Sequence, residues 1–122
     1  MYPEGDAMPR RDELDQVLPL TSTVYHILVE VAEGARHGYA VAQQVEELSE
    51  GRLIMGPGTL SGSLRRMQES DLIREADNPG DDGLHAGRRR YYAMTPLGRQ
   101  ALAAESERLL RAVNLARARL GS

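Results

Sequence analysis

Apolar residues recur at helical spacing at Val24, Ile27, Leu28 and Val31, which predicts an amphipathic helix. Thr21, Ser22 or Thr23 can serve as its N-cap, and Gly34 marks its end. After a short link, Ala35-Arg36-His37-Gly38, the positions Val41, Val45 and Leu48 mark the buried stripe of a second helix that stops at Gly51. Leu53-Ile54 fits a brief strand before the punctuation of Gly56-Pro57-Gly58. A third helix is predicted from about Pro57, whose fixed φ suits a first helical turn. Its Leu60, Leu64 and Met67 share one side and face the core, while Gly58, Gly62, Arg65 and Glu69 lie opposite, flanked by Ser61 and Arg66. Gly62 inside a helix costs roughly 0.5–1 kcal/mol relative to Ala, so packing or the close approach of a partner must offset it.

Residues 72–76 and 88–94 read as two extended segments joined by the turn-rich stretch 78–87, a long hairpin of the kind called a wing. The period-two rule sends Tyr92 and Met94 to the core and leaves Arg89 outward. Thr95-Pro96 is an N-cap followed by proline at the first helical position, so a helix is predicted over 95–120. From Leu102 on, the positions Leu102, Ser106, Leu109, Val113, Ala116 and Leu120 alternate four and three apart, a coiled-coil-like seam. Such a helix is about 39 Å long, more than a small core can cover, and its far end is expected on another subunit. Residues 1–19 carry no periodicity and read as a flexible arm, with a helix admitted over 12–18. The expected fold class is therefore mostly α with a small β-hairpin. It is a winged helix-turn-helix over 20–95 followed by a long C-terminal dimerisation helix over 96–122.

A chain of 122 residues has room for one domain and an appendage. It has no cysteine, which removes disulfides, thiolate metal sites and a cysteine nucleophile. No apolar run is long enough to span a membrane, and the polar, acidic start is unlike a signal peptide, so a cytoplasmic, soluble protein is expected. The net charge of −3 conceals an asymmetry. Residues 1–50 hold three Arg against ten acids, whereas residues 51–122 hold twelve Arg against eight. The basic half is the half with the third helix and the wing. Every basic residue is Arg, which suits flat bidentate contacts to guanine or phosphate, although a bias toward Arg codons also accounts for the missing Lys.

Catalysis finds little support. Gly56-Pro57-Gly58 precedes a helix, but the chain lacks the lysine of a phosphate-binding loop, and the third glycine of a dinucleotide fingerprint comes one position late. His26, His37 and His85 have no metal-ligand spacing. No enzyme activity, metal or cofactor is expected.

The sequence resembles the PadR family of bacterial transcriptional regulators over about residues 20–120. The residues that carry the likeness are His37-Gly38-Tyr39, Gly58-Thr59-Leu60, Leu64-Arg65-Arg66-Met67, Asp71-Leu72-Ile73, Arg89-Arg90-Tyr91-Tyr92 and Thr95-Pro96-Leu97-Gly98-Arg99. The single helix after the wing is similar to the compact subgroup. The resemblance implies a homodimer built on the terminal helices, two winged helices on a palindromic operator, and usually repression. Some compact relatives also hold a flat hydrophobic effector between subunits. One departure stands out. The family usually has Tyr and then Pro after Gly-Thr-Leu, and that Tyr commonly contacts DNA, whereas this chain has Ser61-Gly62.

Double-stranded DNA asks for cations on its phosphates and shaped donors on its base edges. The candidates are Arg65 for the groove, Arg66, Arg88, Arg89 and Arg90 for the phosphates, and His85. Thr59, Ser61 and Ser63 can donate to phosphates near the helix N-terminus. The arginine triplet 88–90 could instead be a solvated strand paired with Glu75, Asp77, Asp81 or Asp82. Leu102, Leu109, Val113, Ala116 and Leu120 are the candidate dimer interface. The rival reading is a winged protein-interaction or small-molecule-sensing module with weak or lost DNA specificity. Its tyrosines, Tyr25, Tyr39, Tyr91 and Tyr92, are expected in the core.

Overall fold

The computed structural model describes residues 11–77 and 90–121. Five helices and three short strands follow in the order α1 (Arg11–Val17), α2 (Ser22–Glu30), β1 (Arg36–His37), α3 (Gly38–Leu48), α4 (Pro57–Glu69), β2 (Ile73–Ala76), β3 (Tyr91–Met94) and α5 (Pro96–Leu120). Of the three candidate caps Thr21, Ser22 and Thr23, it is Thr21 that caps α2, its hydroxyl accepting the Val24 N–H. Ile27, Leu28 and Val31 from α2, Val41 and Val45 from α3, and Leu64 and Met67 from α4 form one core with Leu72, Ile73, Tyr92, Leu97 and Ala101. A three-helix arrangement against a small sheet results, the winged-helix form the residue pattern predicts.

The sheet holds one strand more than the pattern showed. Its order is β1-β3-β2, all antiparallel, with Arg36 opposite Tyr92 and Ile73 opposite Met94. Arg36-His37, read as a link, takes the outer edge of β3. The expected strand at Leu53-Ile54 is absent. The Leu53 N–H is taken by the Ser49 hydroxyl at 2.9 Å, and Ile54 stays 70% exposed. Leu48 is likewise exposed, because the buried stripe of α3 ends at Val45. The stretch read as a flexible arm contains α1, whose Leu14 and Val17 pack against the core together with Leu18 and Leu20. Tyr92 is buried and Met94 partly so, as their register in β3 predicts, but Tyr39 is 78% exposed rather than in the core.

The junction between α4, the sheet and α5 is the tightest part of the chain. After Ser70 caps α4, Asp71 takes a left-handed conformation at φ 61°. The Leu72 N–H then returns to the Met67 carbonyl at 2.8 Å. Thr95 caps α5, its hydroxyl accepting the Gly98 N–H at 2.9 Å while donating to the Asp71 carbonyl. The Thr95 N–H in turn reaches the Leu72 carbonyl at 3.1 Å. A Cβ on Gly98 would fall 2.2 Å from that carbonyl oxygen, so only glycine lets α5 come this close. Gly98→Ala should destabilise the fold by about 3 kcal/mol or more through this overlap. Gly58→Ala, where a Cβ meets open space, should stabilise it by about 0.5–1 kcal/mol. Urea denaturation of the two variants checks the contrast, and equal midpoints would overturn the role given to Gly98.

Candidate nucleic-acid interface

Helix α4 starts at Pro57 after Gly56 and buries Leu64 and Met67, with Leu60 partly buried beside them. That orientation turns Gly58 and Arg65 outward, with Thr59 and Ser61 exposed near the N-terminal end. An exposed face of small residues around one arginine can approach another surface closely. Ser63 departs from expectation. It is 4% exposed, because the spacing that buries Leu60, Leu64 and Met67 also carries residue 63 inward. As placed, its hydroxyl serves the fold and accepts from the Arg66 guanidinium at 3.4 Å. Arg66 lies along the flank of α4, its guanidinium 3.2 Å from where a Cβ on Gly62 would stand, and it helps line the recess of Pro19 and Leu20, while Arg65 is exposed.

Across from α4, the turn into α3 is set by His37, whose Nδ1 accepts the Ala40 N–H at 3.1 Å. Its ring also meets Tyr91 edge-on at 5.5 Å. A Cβ on Gly38 would lie 3.0 Å from Leu64 Cδ1, so α3 starts in close contact with α4. Between them lies a cleft of about 470 Å³ lined by His37, Tyr39, Leu60, Ser61, Arg90 and Tyr92 among others. Arg90 leaves the sheet with its Nε 3.4 Å from a Glu75 carboxylate oxygen, both side chains largely exposed. The pairing with Glu75 considered for the arginine triplet thus holds for Arg90. Burial raises the Tyr92 phenol above its ordinary pKa, with the nearby Glu75 carboxylate adding to the effect. His85, Arg88 and Arg89 lie outside the described residues. Among the described residues, no group of three His, Cys, Asp or Glu side chains could hold a metal ion, and no helix is long and apolar enough to cross a membrane.

With this geometry established, the sequence model of the PadR-like transcriptional regulators matches residues 24–104. The chain belongs to the PadR-like family. RosR of H. salinarum superposes with a TM-score of 0.62 at 25% identity, covering 79% of this chain and 79% of that one. The complex structure of hsRosR-S4 gives 0.65 at 25% identity, over 83% and 80% of the two chains. A PadR family regulator from Clostridium difficile gives 0.64 at 24% identity, over 84% of this chain and all of that one, and shows the shared fold. An uncharacterised 37.1 kDa protein in a Streptomyces fradiae transposon is 35% identical over 85 residues, 70% of this chain. The matched part spans only 22% of that relative's length. The chain thus has the winged-helix fold of the PadR-like transcriptional regulators, and the family model runs from within α2 through α3, α4 and the sheet into the first turns of α5.

The PadR-like frame also divides α5. Leu97 and Ala101 are buried, Leu102 packs against the core, and Ser106 accepts or donates a 2.7 Å bond with the Tyr25 hydroxyl. From Arg111 to Leu120 every residue is exposed, including Val113 at 42% and Leu120 at 80%. The changeover falls at Glu105, which is 2% exposed. Its carboxylate accepts from Arg108 Nε at 3.0 Å and from the backbone N–H of Leu20. No motif points to Glu105, although its place four residues after Ala101 and eight after Leu97 continues the buried stripe.

The Arg108 hydrogen bond outweighs burial and holds the Glu105 carboxyl below its ordinary value of 4.5. Its contribution to stability is complete above that value and disappears as pH falls through the lower folded one. Between about pH 6 and about pH 3 the urea midpoint should therefore fall less in Glu105→Gln than in the parent chain. An equal fall in both would show that this carboxylate does not contribute to the acid sensitivity of the fold.

Proposed function

We propose that this PadR-like regulator acts as a homodimer, in the cytoplasm, on an inverted-repeat operator, and that its usual effect is repression. The observation that carries the reading is the placement of Arg65. It stands on the exposed side of α4, away from buried Leu64 and Met67, with Thr59 and Ser61 exposed toward the N-terminal turn. In this reading Arg65 enters the major groove and can meet guanine O6 and N7. Thr59 and Ser61 donate to phosphates beside it, and Arg66 holds the backbone from the flank. Arg88, Arg89 and His85 extend the backbone contacts through the wing. Residues 20–95 form the DNA-binding unit and residues 96–122 the dimerisation helix. The distal seam of Leu109, Val113, Ala116 and Leu120 meets its copy, with Leu102 at the inner end of the interface, and spaces the two α4 helices roughly 34 Å apart, one turn of duplex. In this reading a flat hydrophobic effector would sit at the same subunit contact.

Arg65→Ala combined with Arg66→Ala should abolish specific binding to a duplex selected from genomic fragments, measured by gel shift at moderate salt. For every phosphate that the double variant leaves without its cation, the log–log salt slope should become shallower by about 0.9. Wild-type affinity in the double variant would overturn the assignment of α4 and favour a module without sequence-specific DNA recognition. Val113→Asp places a charge in the seam and should convert the dimer to monomer in sedimentation at micromolar concentration, with DNA binding abolished alongside. A monomeric parent chain under those conditions would overturn the dimeric reading.

A further inference from the structure

We propose that the cleft between the start of α3 and the first turns of α4 seats one phosphodiester of the DNA backbone, with the Tyr39 hydroxyl donating to it. This rests on the reading of α4 as the groove-facing helix, and it adds a residue that neither the sequence pattern nor the arginine arrangement assigned.

Exposure of Tyr39 alone would mean little, since single exposed apolar side chains are common on protein surfaces. What matters is the company it keeps. Gly38 is pressed against Leu64, which brings the adjoining Tyr39 to the edge of α4 beside Leu60 and Ser61. Tyr39, Ser61 and Arg90 then line one cleft and supply two hydroxyls and a guanidinium, all able to donate to a phosphate oxygen. Among the described residues no carboxylate lines it, with Glu46 in the adjoining recess on the far side of Tyr39 and Glu75 held on Arg90. Leu60, Leu64 and Tyr92 give it an apolar floor against which a deoxyribose can rest. The Arg90 pair with Glu75 is exposed on both sides, so water already competes for it and a phosphate can as well.

The shape of the site also points to a polymer. Small-molecule sites commonly bury roughly 70–90% of a ligand's surface. A cleft whose wall is a side chain 78% exposed cannot enclose a compound in that way. A strand that lies across α4 covers it from outside. Because Ser61 is small, the cleft stays open between Tyr39 and α4, and the phenol on α3 supplies an aromatic donor at the margin of the reading helix.

Tyr39→Phe and Tyr39→Ala, with Arg65→Ala as comparison, test this by fluorescence anisotropy across a salt series. The probes are the selected duplex and a random-sequence duplex of about 30 base pairs. Tyr39→Phe should weaken binding about threefold to tenfold. The weakening should be equal on both duplexes and leave the salt slope unchanged, because a phosphate contact carries no sequence and no charge has been removed. Tyr39→Ala should be weakened at least as much, and both variants should melt as the parent does. Wild-type affinity in both tyrosine variants, with Arg65→Ala impaired, would overturn the proposal and leave the reading of α4 intact. Weakening confined to Tyr39→Ala would overturn the hydrogen bond, and weakening confined to the selected duplex would overturn the phosphate assignment. Unimpaired binding in all three variants would overturn the reading of α4 itself.

Discussion

The approach of the first turn of α5 to the Leu72 carbonyl fixes the relation between the two working parts of the chain. Gly98 has no side chain to hold them apart, and Thr95 ties the same place by donating to the Asp71 carbonyl while capping α5. Leu72 returns its own N–H to Met67 in the last turn of α4. The end of α4, the base of the sheet and the start of α5 are thus joined by backbone and hydroxyl hydrogen bonds within a few residues. A displacement of α5 cannot be absorbed there by a soft loop. It must move α4 with it or break a buried hydrogen bond, which costs about 1–3 kcal/mol when a partner is left unsatisfied.

Beyond that junction α5 changes environment along its length. Its first turns are core, Glu105 closes the protected part against Arg108 and the Leu20 backbone, and the remainder runs into solvent with Leu110, Val113, Leu115 and Leu120 exposed. Exposed leucines on a helix that continues about four turns past its own core leave apolar surface uncovered, the surface that the proposed dimer would bury. The same stretch carries Arg111, Arg117 and Arg119 and no acid, so the apolar surface is bordered by positive charge. The acidic residues lie mostly in the first half of the chain, including Asp12, Glu13 and Asp15 of α1. Net charge is a poor guide for such a chain, and the sign of each surface decides what it meets.

The helices are legible in the sequence because each carries its own signal: Thr21 before the Val24–Val31 stripe, Pro57 after Gly56, Thr95 before Pro96. Periodicity fails where an element is too short to have one. Two residues cannot show alternation, so Arg36-His37 reads as a link although β3 offers it an edge, and Leu53-Ile54 reads as a strand although Ser49 takes the Leu53 N–H. At the candidate site the outward direction of Arg65 follows from the helical repeat. The burial of Ser63 does too, even though a hydroxyl near a helix N-terminus suggests a phosphate donor. The Arg66 bond to Ser63 is an i, i+3 contact within α4, whereas the exposure of Tyr39 depends on how α3 sits against α4, which no local pattern encodes.

Ser61 and Gly62 leave α4 with little of its own to grip a duplex, and on the proposed reading this makes affinity a property of the assembly. On that reading one subunit offers a single arginine to the groove and its other cations to the backbone, on a chain that is negative overall, so a single head discriminates poorly between sequences. Joining two heads through α5 makes the second contact intramolecular, at an effective concentration set by the stiffness of the connection. The Thr95 and Gly98 junction is what makes that connection stiff, since α5 runs as one helix from Pro96 to Leu120 and its first turn is locked to the end of α4. A rigid connection gains this advantage only when the half-sites match its span, so spacing becomes part of the recognition. On the proposed reading the small Ser61 contributes little to base contact, and the discrimination between sites moves from α4 alone to the pair of helices that the terminal contact would hold apart.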